Sequence, residues 1–387
     1  MALQFEFAGP GRILFGEGAV RGAGSAAASF GRRAFVVTGR DPSRAAPLLD
    51  SLGASELRCA IRPVAGEPDF EELEAALAAA REWGTELVIG CGGGSALDLA
   101  KAVAALLANE GPVLDYVEVI GAGKPLSLPS LPCIAVPTTA GTGSEATRNA
   151  VLRSRERGVK VSLRSPSMLP RLAIVDPELC YGLPPAATAS TGMDALTQLI
   201  EPFVCNRPNP LVDALCREGM ARAARSLEKA CREGQDPEAR AELSLASLFS
   251  GMALANARLG AVHGFAAPIG GAFGAPHGAV CAALLAPVAA ANVAALRSRA
   301  PGSPALARYA EVASILRGGS SCARPEDAAP ALAELAARIG IKGLSSFGIG
   351  RNDAEDMAAK ARVSSSMQGN PIPLEDAELI RIFESAL

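Results

Sequence analysis

Short apolar runs alternate with alanine-rich amphipathic stretches through the first half of the chain, and then helical spacing takes over alone. RAFVVTG (residues 33–39), ELRCAIR (56–62), ELVIGC (86–91), CIAVP (133–137) and LAIVDP (172–177) are each short and bounded by turn or polar residues. Such runs predict buried strands. The segments between them are long enough for crossover helices. The rhythm is therefore βαβ, a parallel sheet covered on both faces. After DPELCYGLPP (176–185) the strand pattern stops. Residues 186–387 keep apolar positions at helical spacing, as in ELSLASLFSGMALANARL and DAAPALAELAARIG. The alanine-rich stretch 280–340 keeps this period and predicts closely packed helices, with inter-helix loops at 300–304 and 317–327. The opening MALQFEFAGPGRILFGEG predicts a strand pair broken at Gly9-Pro10-Gly11, not a signal peptide. Two domains are expected: 1–182, an α/β nucleotide-binding domain with a parallel sheet, and 183–387, an all-α domain.

Composition narrows the class. Hydrophobic residues make up 49% and the formal net charge is −3, without a basic patch, so nucleic acid and membrane surfaces are not expected partners. No apolar run reads as long enough to span a bilayer. Nine cysteines, an odd number without C-x-x-C spacing, suit reduced thiols in a cytoplasm.

Two segments carry candidate nucleotide chemistry. In LVIGCGGGSALDLAK a strand runs into Gly92, Gly93 and Gly94, then into a helix with Ser95 as expected N-cap and Asp98 in its first turn. Strand, glycine turn and helix N-terminus make an anion cradle for a pyrophosphate. The G-x-G-x-x-G fingerprint is absent. Asp98 and Lys101 also read as a simple i, i+3 surface pair. In LPCIAVPTTAGTGSEAT, Thr138, Thr139, Thr142 and Ser144 offer hydroxyls suited to a phosphate, ribose or carboxamide. After the strand at 33–39, Gly39 stands where an acidic residue would pair the adenosine ribose, and Arg40 follows. That leaves room and charge for a 2′-phosphate, while Asp41 offers a displaced ribose acceptor.

The chain has only two histidines, His263 and His277, close together in AVHGFAAPIGGAFGAPHGAV. Asp194, in TGMDALTQLIE, is expected to begin a helix. One carboxylate and two imidazoles form a three-ligand set with open positions for substrate.

GGGSALDLAK, PTTAGTGSEAT, KVSLRSPSMLPRLAIVDPEL, TGMDALTQLIE and the two histidine segments, in this order, resemble the iron-containing (group III) alcohol dehydrogenases across nearly the whole chain. The resemblance implies that family's dehydroquinate synthase-like architecture, with a metal in the cleft between an α/β and an all-helical domain. It implies that Gly93, Gly94, Ser95, Asp98, Thr138, Thr139 and Ser144 contact NAD(P), and that Asp194, His263 and His277 hold iron or zinc and carry catalysis. Two positions depart from the family. Gln198 replaces the histidine one turn after Asp194; its carbonyl oxygen is a weaker donor than imidazole. Ala267 replaces a histidine, associated with proton relay, four residues after His263.

The expected activity is hydride transfer between a nicotinamide and a small alcohol or aldehyde, in a cytoplasmic homodimer paired at the N-terminal strand edge. Within the enzyme class, a maleylacetate-reductase-like enzyme would use Arg148 or Lys160 on a carboxylated substrate. Dehydroquinate synthases share the architecture, but their extra basic and histidine residues are not found. Outside that class stands a non-catalytic nucleotide-binding protein whose metal site has decayed.

Overall fold

The computed structural model describes residues 4–319 and 321–387 of the 387-residue chain. It divides into two compact units. One holds Gly9–Thr139 and Gly143–Tyr181; the other holds the residues through Ala8, Ala140–Thr142 and Gly182–Leu387.

The first unit is built on six parallel strands, β1 (Ile13–Phe15), β2 (Arg33–Thr38), β3 (Arg58–Pro63), β4 (Leu87–Gly92), β5 (Cys133–Pro137) and β8 (Leu172–Val175). Their spatial order is β1-β8-β5-β4-β2-β3. All five apolar runs fall on strands. Every residue of β4, β5 and β8 is buried, as expected of a sheet covered on both faces. Strand alternation sorts β2 between two cores. Phe35 and Val37 pack with Val88 and the Gly94–Ala108 helix, while Val36 packs with Leu48, Leu52 and Ile89 on the other face.

Two parts depart from the sequence expectation. Among the described residues of the opening segment, only Ile13–Phe15 is a strand, and it pairs in parallel with β8. The Gly11 N–H donates to the Pro170 carbonyl, and a Cβ there would meet the Arg171 oxygen at 2.9 Å, so the chain is committed to β8 from Gly11 onward. Residues 1–3 of the expected strand pair lie outside the described residues. Secondly, an antiparallel hairpin, β6 (Asn149–Ser154) and β7 (Val159–Arg164), was not anticipated. Its alternation is short and studded with arginine, but Ala150, Leu152, Val161 and Leu163 are buried.

The second unit is helical. Its longer helices are Pro185–Val204, Pro210–Arg232, Pro237–Asn256, Ala261–Phe273, His277–Arg299 and Pro304–Leu316. Proline opens four of these, at the position where its missing N–H costs nothing. His277–Arg299 is long and apolar enough by composition to cross a membrane, which corrects the expectation that no run is. Most of its apolar window is buried in the helical core. Residues 140–142, read from sequence as part of the nucleotide loop, belong to this unit because Gly141 is locked into it. A Cβ at Gly141 would come 2.6 Å from Thr191 Cβ, and its carbonyl accepts from Gln198 Nε2 (3.2 Å) and Ser250 Oγ (3.3 Å).

Candidate metal centre and nucleotide cradle

Asp194 lies in the middle of the Pro185–Val204 helix, not at its start, because Pro184-Pro185 opens the helix well upstream. Gln198 and Glu201 follow at i+4 and i+7, so the three share one face. All three are buried. His263 is in the first turn of the Ala261–Phe273 helix and His277 is the first residue of the next. Gly274, at φ 66°, ends the earlier helix and lets the chain turn back between them.

These elements converge on one point. Ligand atoms of Asp194, His263, His277 and Cys281 all lie within 4.8 Å of one another. Asp194 Oδ1 stands 3.6 Å from His263 Nε2 and 3.6 Å from His277 Nε2. That is beyond hydrogen-bond range. Asp194 Oδ1 is buried and has no hydrogen-bond partner. An orphaned buried carboxylate oxygen is costly, and a cation among these donors would satisfy it. The donor chemistry and this orphaned atom fit a divalent metal.

The surroundings orient the donors. Glu201 Oε2 lies 2.6 Å from His263 Nδ1, and Glu201 Oε1 accepts the Val262 N–H at 2.7 Å. The carboxylate holds a proton on Nδ1 and leaves Nε2 to face the cluster. Burial works against the charge of Asp194, yet the His277 and His263 charges hold its carboxyl below the usual value. The neighbouring Cys281, against burial and with the Asp194 charge adding to it, raises His277 to about 9. Gln198 places its amide nitrogen on Gly141. Ala267, one turn after His263, is exposed and offers no proton acceptor. Sequence reasoning missed Cys281 and Glu201. The signals were their spacings, i+4 from His277 and i+7 from Asp194.

In the α/β unit, β2 and β4 are neighbours, and strand order reverses between them. β3 continues outward from β2, while β5 and β8 lie beyond β4. The crevice at the carboxyl ends of such strands is where ligands of doubly wound sheets bind. Gly39 and Gly92 meet there: a Cβ on Gly92 would sit 3.1 Å from the Gly39 nitrogen and 2.6 Å from Ala96 Cβ. Gly92 is thus required by close packing, not by a left-handed turn. The helix begins at Gly94 with Gly93 as N-cap, so Ser95 is not the cap and no side chain caps the first amides. The cap falls early because β4 itself extends through Gly92 and leaves Gly93 as the first extended residue before the helix. Thr138 donates its N–H to the Gly92 carbonyl (2.9 Å), bringing Thr138 and Thr139 beside Gly93.

Asp98 lies past the first turn, and its carboxylate accepts from Ser144 Oγ (2.5 Å) and from the Val151 N–H (2.9 Å). Its pair with Lys101 (3.1 Å) is not a surface pair, because the Lys101 side chain is fully buried. Lys101 Nζ also donates to the Ser144 carbonyl (3.0 Å) and to Thr147 Oγ1 (2.8 Å). Arg40 is exposed and donates to the Ala65 carbonyl (2.9 Å). Asp41 caps the following turn, accepting from the Ser43 N–H (3.0 Å) and hydroxyl (2.7 Å). Thr142 is placed with the helical unit.

Comparison with known proteins agrees across the chain. Residues 10–177 match the family described as iron-containing alcohol dehydrogenase, and residues 188–387 match the Fe-containing alcohol dehydrogenase family, C-terminal. The chain is 35% identical to alcohol dehydrogenase 4 of Saccharomyces cerevisiae, over 82% of this chain and 80% of that protein. It superposes on the crystal structure of a 1,3-propanediol oxidoreductase with a TM-score of 0.91 at 32% identity, covering all of both chains. A sulfoacetaldehyde reductase from Bifidobacterium kashiwanohense, solved with NAD+, gives a TM-score of 0.86 at 29% identity over 99% of this chain and 98% of that one. The chain belongs to the iron-containing alcohol dehydrogenase family. With membership comes the class, an oxidoreductase acting on CH–OH groups with a nicotinamide cofactor and a divalent metal.

Proposed function

We propose that the chain interconverts a small alcohol and its aldehyde, with Asp194, His263 and His277 holding the metal and the β2–β4 crevice holding the nicotinamide dinucleotide. The observation that carries this reading is the buried, unpartnered Asp194 Oδ1 set between two imidazoles. When bound, a divalent cation supplies Lewis acidity toward the substrate oxygen, and the nicotinamide gives or takes the hydride.

The chain's own residues do the rest. Asp194 brings negative charge to the cation from a rigid helix. Glu201 keeps the His263 proton at Nδ1, away from the donors. Gly93, Gly94 and Ser95 present backbone amides that have no intrahelical acceptor to the pyrophosphate. Asp98 and Ser144 position that loop by bonding each other, with Thr138 and Thr139 beside it. The exposed Arg40 beside Gly39 would offer charge to a 2′-phosphate, and Asp41 is occupied by its own turn, which favours NADP(H) as cofactor. With alanine at position 267 the chain offers no proton acceptor there, and a proton released from the alcohol would leave to water. Nine unpaired thiols suit a reducing compartment such as the cytoplasm. A second copy pairing along the outer edge of β1 would give the homodimer.

Lys160, one of the two candidates for a carboxylated substrate, is tied to Glu67 at 2.5 Å, which weakens that alternative. The test is metal analysis of the purified protein together with NADPH-dependent reduction of short aldehydes. A protein that binds NADPH yet holds no divalent metal and turns over no alcohol or aldehyde would be a nucleotide binder only.

A further inference from the structure

We propose that Cys281 is a metal ligand of this chain, so that the ion is held by an Asp–His–His–Cys set in which a thiolate takes the place the weak Gln198 donor leaves. The proposal rests on the metal reading above.

Cys281 lies one helical turn after His277, so the two side chains leave the same face of the His277–Arg299 helix. Cys281 is fully buried. Its Sγ is 3.7 Å from His277 Nε2 and 3.9 Å from His263 Nε2. Metal–nitrogen and metal–sulfur bonds of about 2.0 and 2.3 Å at tetrahedral angles put N and S roughly 3.5 Å apart, and N and O roughly 3.3 Å apart. The N–S spacings of 3.7 and 3.9 Å and the N–O spacings of 3.6 Å exceed these by only a few tenths of an ångström. A small inward movement of the side chains closes the shell. Asp194 Oδ1, buried and without a partner, is the independent sign that something besides protein belongs at the centre.

Gln198 is the other candidate for a fourth donor. Its amide nitrogen is held by the Gly141 carbonyl at 3.2 Å, which fixes the side chain to that loop. The carboxylate and thiolate together balance the charge of a divalent ion, whereas Gln198 would bring none. Thiolate is also the softer donor and favours zinc or cobalt over hard oxygen-seeking ions.

The test uses the purified full chain, stripped with chelator and titrated with Co(II). The wild type is expected to develop an intense near-ultraviolet sulfur-to-cobalt charge-transfer band along with the visible d–d bands. Cys281→Ser should keep d–d bands but lose the charge-transfer band, with cobalt affinity down at least the tenfold that loss of an outer-sphere partner costs. Gln198→Ala should keep the band. Should the serine variant fail to fold, X-ray absorption of the cobalt-loaded wild type still decides, since a sulfur scatterer must appear in the first shell. Cobalt bound without the band and without sulfur overturns the thiolate assignment and leaves the metal reading intact. No saturable cobalt binding at all overturns the metal reading itself, and this proposal with it.

Discussion

The two functional regions are built in opposite ways. In the α/β unit the polar side chains near the cradle satisfy one another: Asp98, Lys101, Ser144 and Thr147 form a network around a fully buried ammonium. In the helical unit the donors converge with only long sulfur contacts from Cys281 to the two imidazoles, and Asp194 Oδ1 is left alone. The difference follows from what each ligand needs. A pyrophosphate is held by backbone amides at a helix N-terminus, so side chains there serve to fix the loop. A cation is held by lone pairs, so its donors converge on one point and a carboxylate oxygen there stays unpartnered.

The largest effect should come from removing a donor that has no substitute. His277→Ala is expected to lose bound divalent metal and all hydride transfer while the fold, followed by circular dichroism, persists. Full metal content in that variant would refute the ligand assignment. The same site should be sensitive to pH. His277 is raised to about 9 by its neighbours Cys281 and Asp194, and His263 is raised well above its ordinary value despite burial. His277 is therefore mostly protonated at neutral pH in the metal-free protein, and an incoming cation must displace that proton. Affinity should climb with pH by about tenfold per unit for each proton displaced, and the part due to His277 should level off above about pH 9. Competition against a chromophoric chelator measures it. A flat profile between neutrality and pH 9 would mean His277 is not a donor.

The nucleotide side should break differently, through stability before chemistry. Lys101→Met removes a buried cation and leaves Asp98 without its nearest positive charge. Breaking a buried pair in this way costs roughly 3 kcal/mol. The melting temperature is expected to fall and NADPH affinity to weaken, with metal content unchanged. If metal is lost as well, the two regions are less independent than their construction implies. A smaller effect is expected at Arg40, which is exposed. Arg40→Ala should raise KM for NADPH about tenfold, since a charged hydrogen bond is worth about 1.5–3 kcal/mol, and leave KM for NADH nearly unchanged. Equal changes for both cofactors would show that the guanidinium stays with the Ala65 carbonyl and does not meet a phosphate.

Legibility in the sequence followed the same divide. The central strands were readable because buried parallel strands are continuous apolar runs, and β4 and β5 are buried at every residue. The β6–β7 hairpin was not, because only alternate residues are buried and its exposed positions carry Arg153 and Arg164. Asp194, His263 and His277 stood out because histidine is so scarce here. Cys281 did not, since a cysteine in an apolar helix reads as core until the fold shows what faces it. Asp98 and Ser144 were readable as belonging to one place, but not as partners of each other. That pairing spans 46 residues and depends on the helix starting at Gly94.

The smallest effect is also the one that most sharpens the contrast between donors that wait for an ion and side chains that serve the fold. Gln198 sits on the donor face of its helix, one turn from Asp194, yet its amide nitrogen is bonded to Gly141. If that bond is its role, Gln198→Ala should lower stability by about 1 kcal/mol, the net worth of a hydrogen bond, plus the cost of a small cavity. Metal retention under chelator challenge should not change. Gln198→His, by contrast, adds an imidazole to the cluster and should slow metal loss, because imidazole is a stronger donor than an amide oxygen. The two variants must be read together. If Gln198→Ala sheds metal as readily as a ligand variant does, the amide oxygen is itself in the coordination shell, and Gly141 merely aims it.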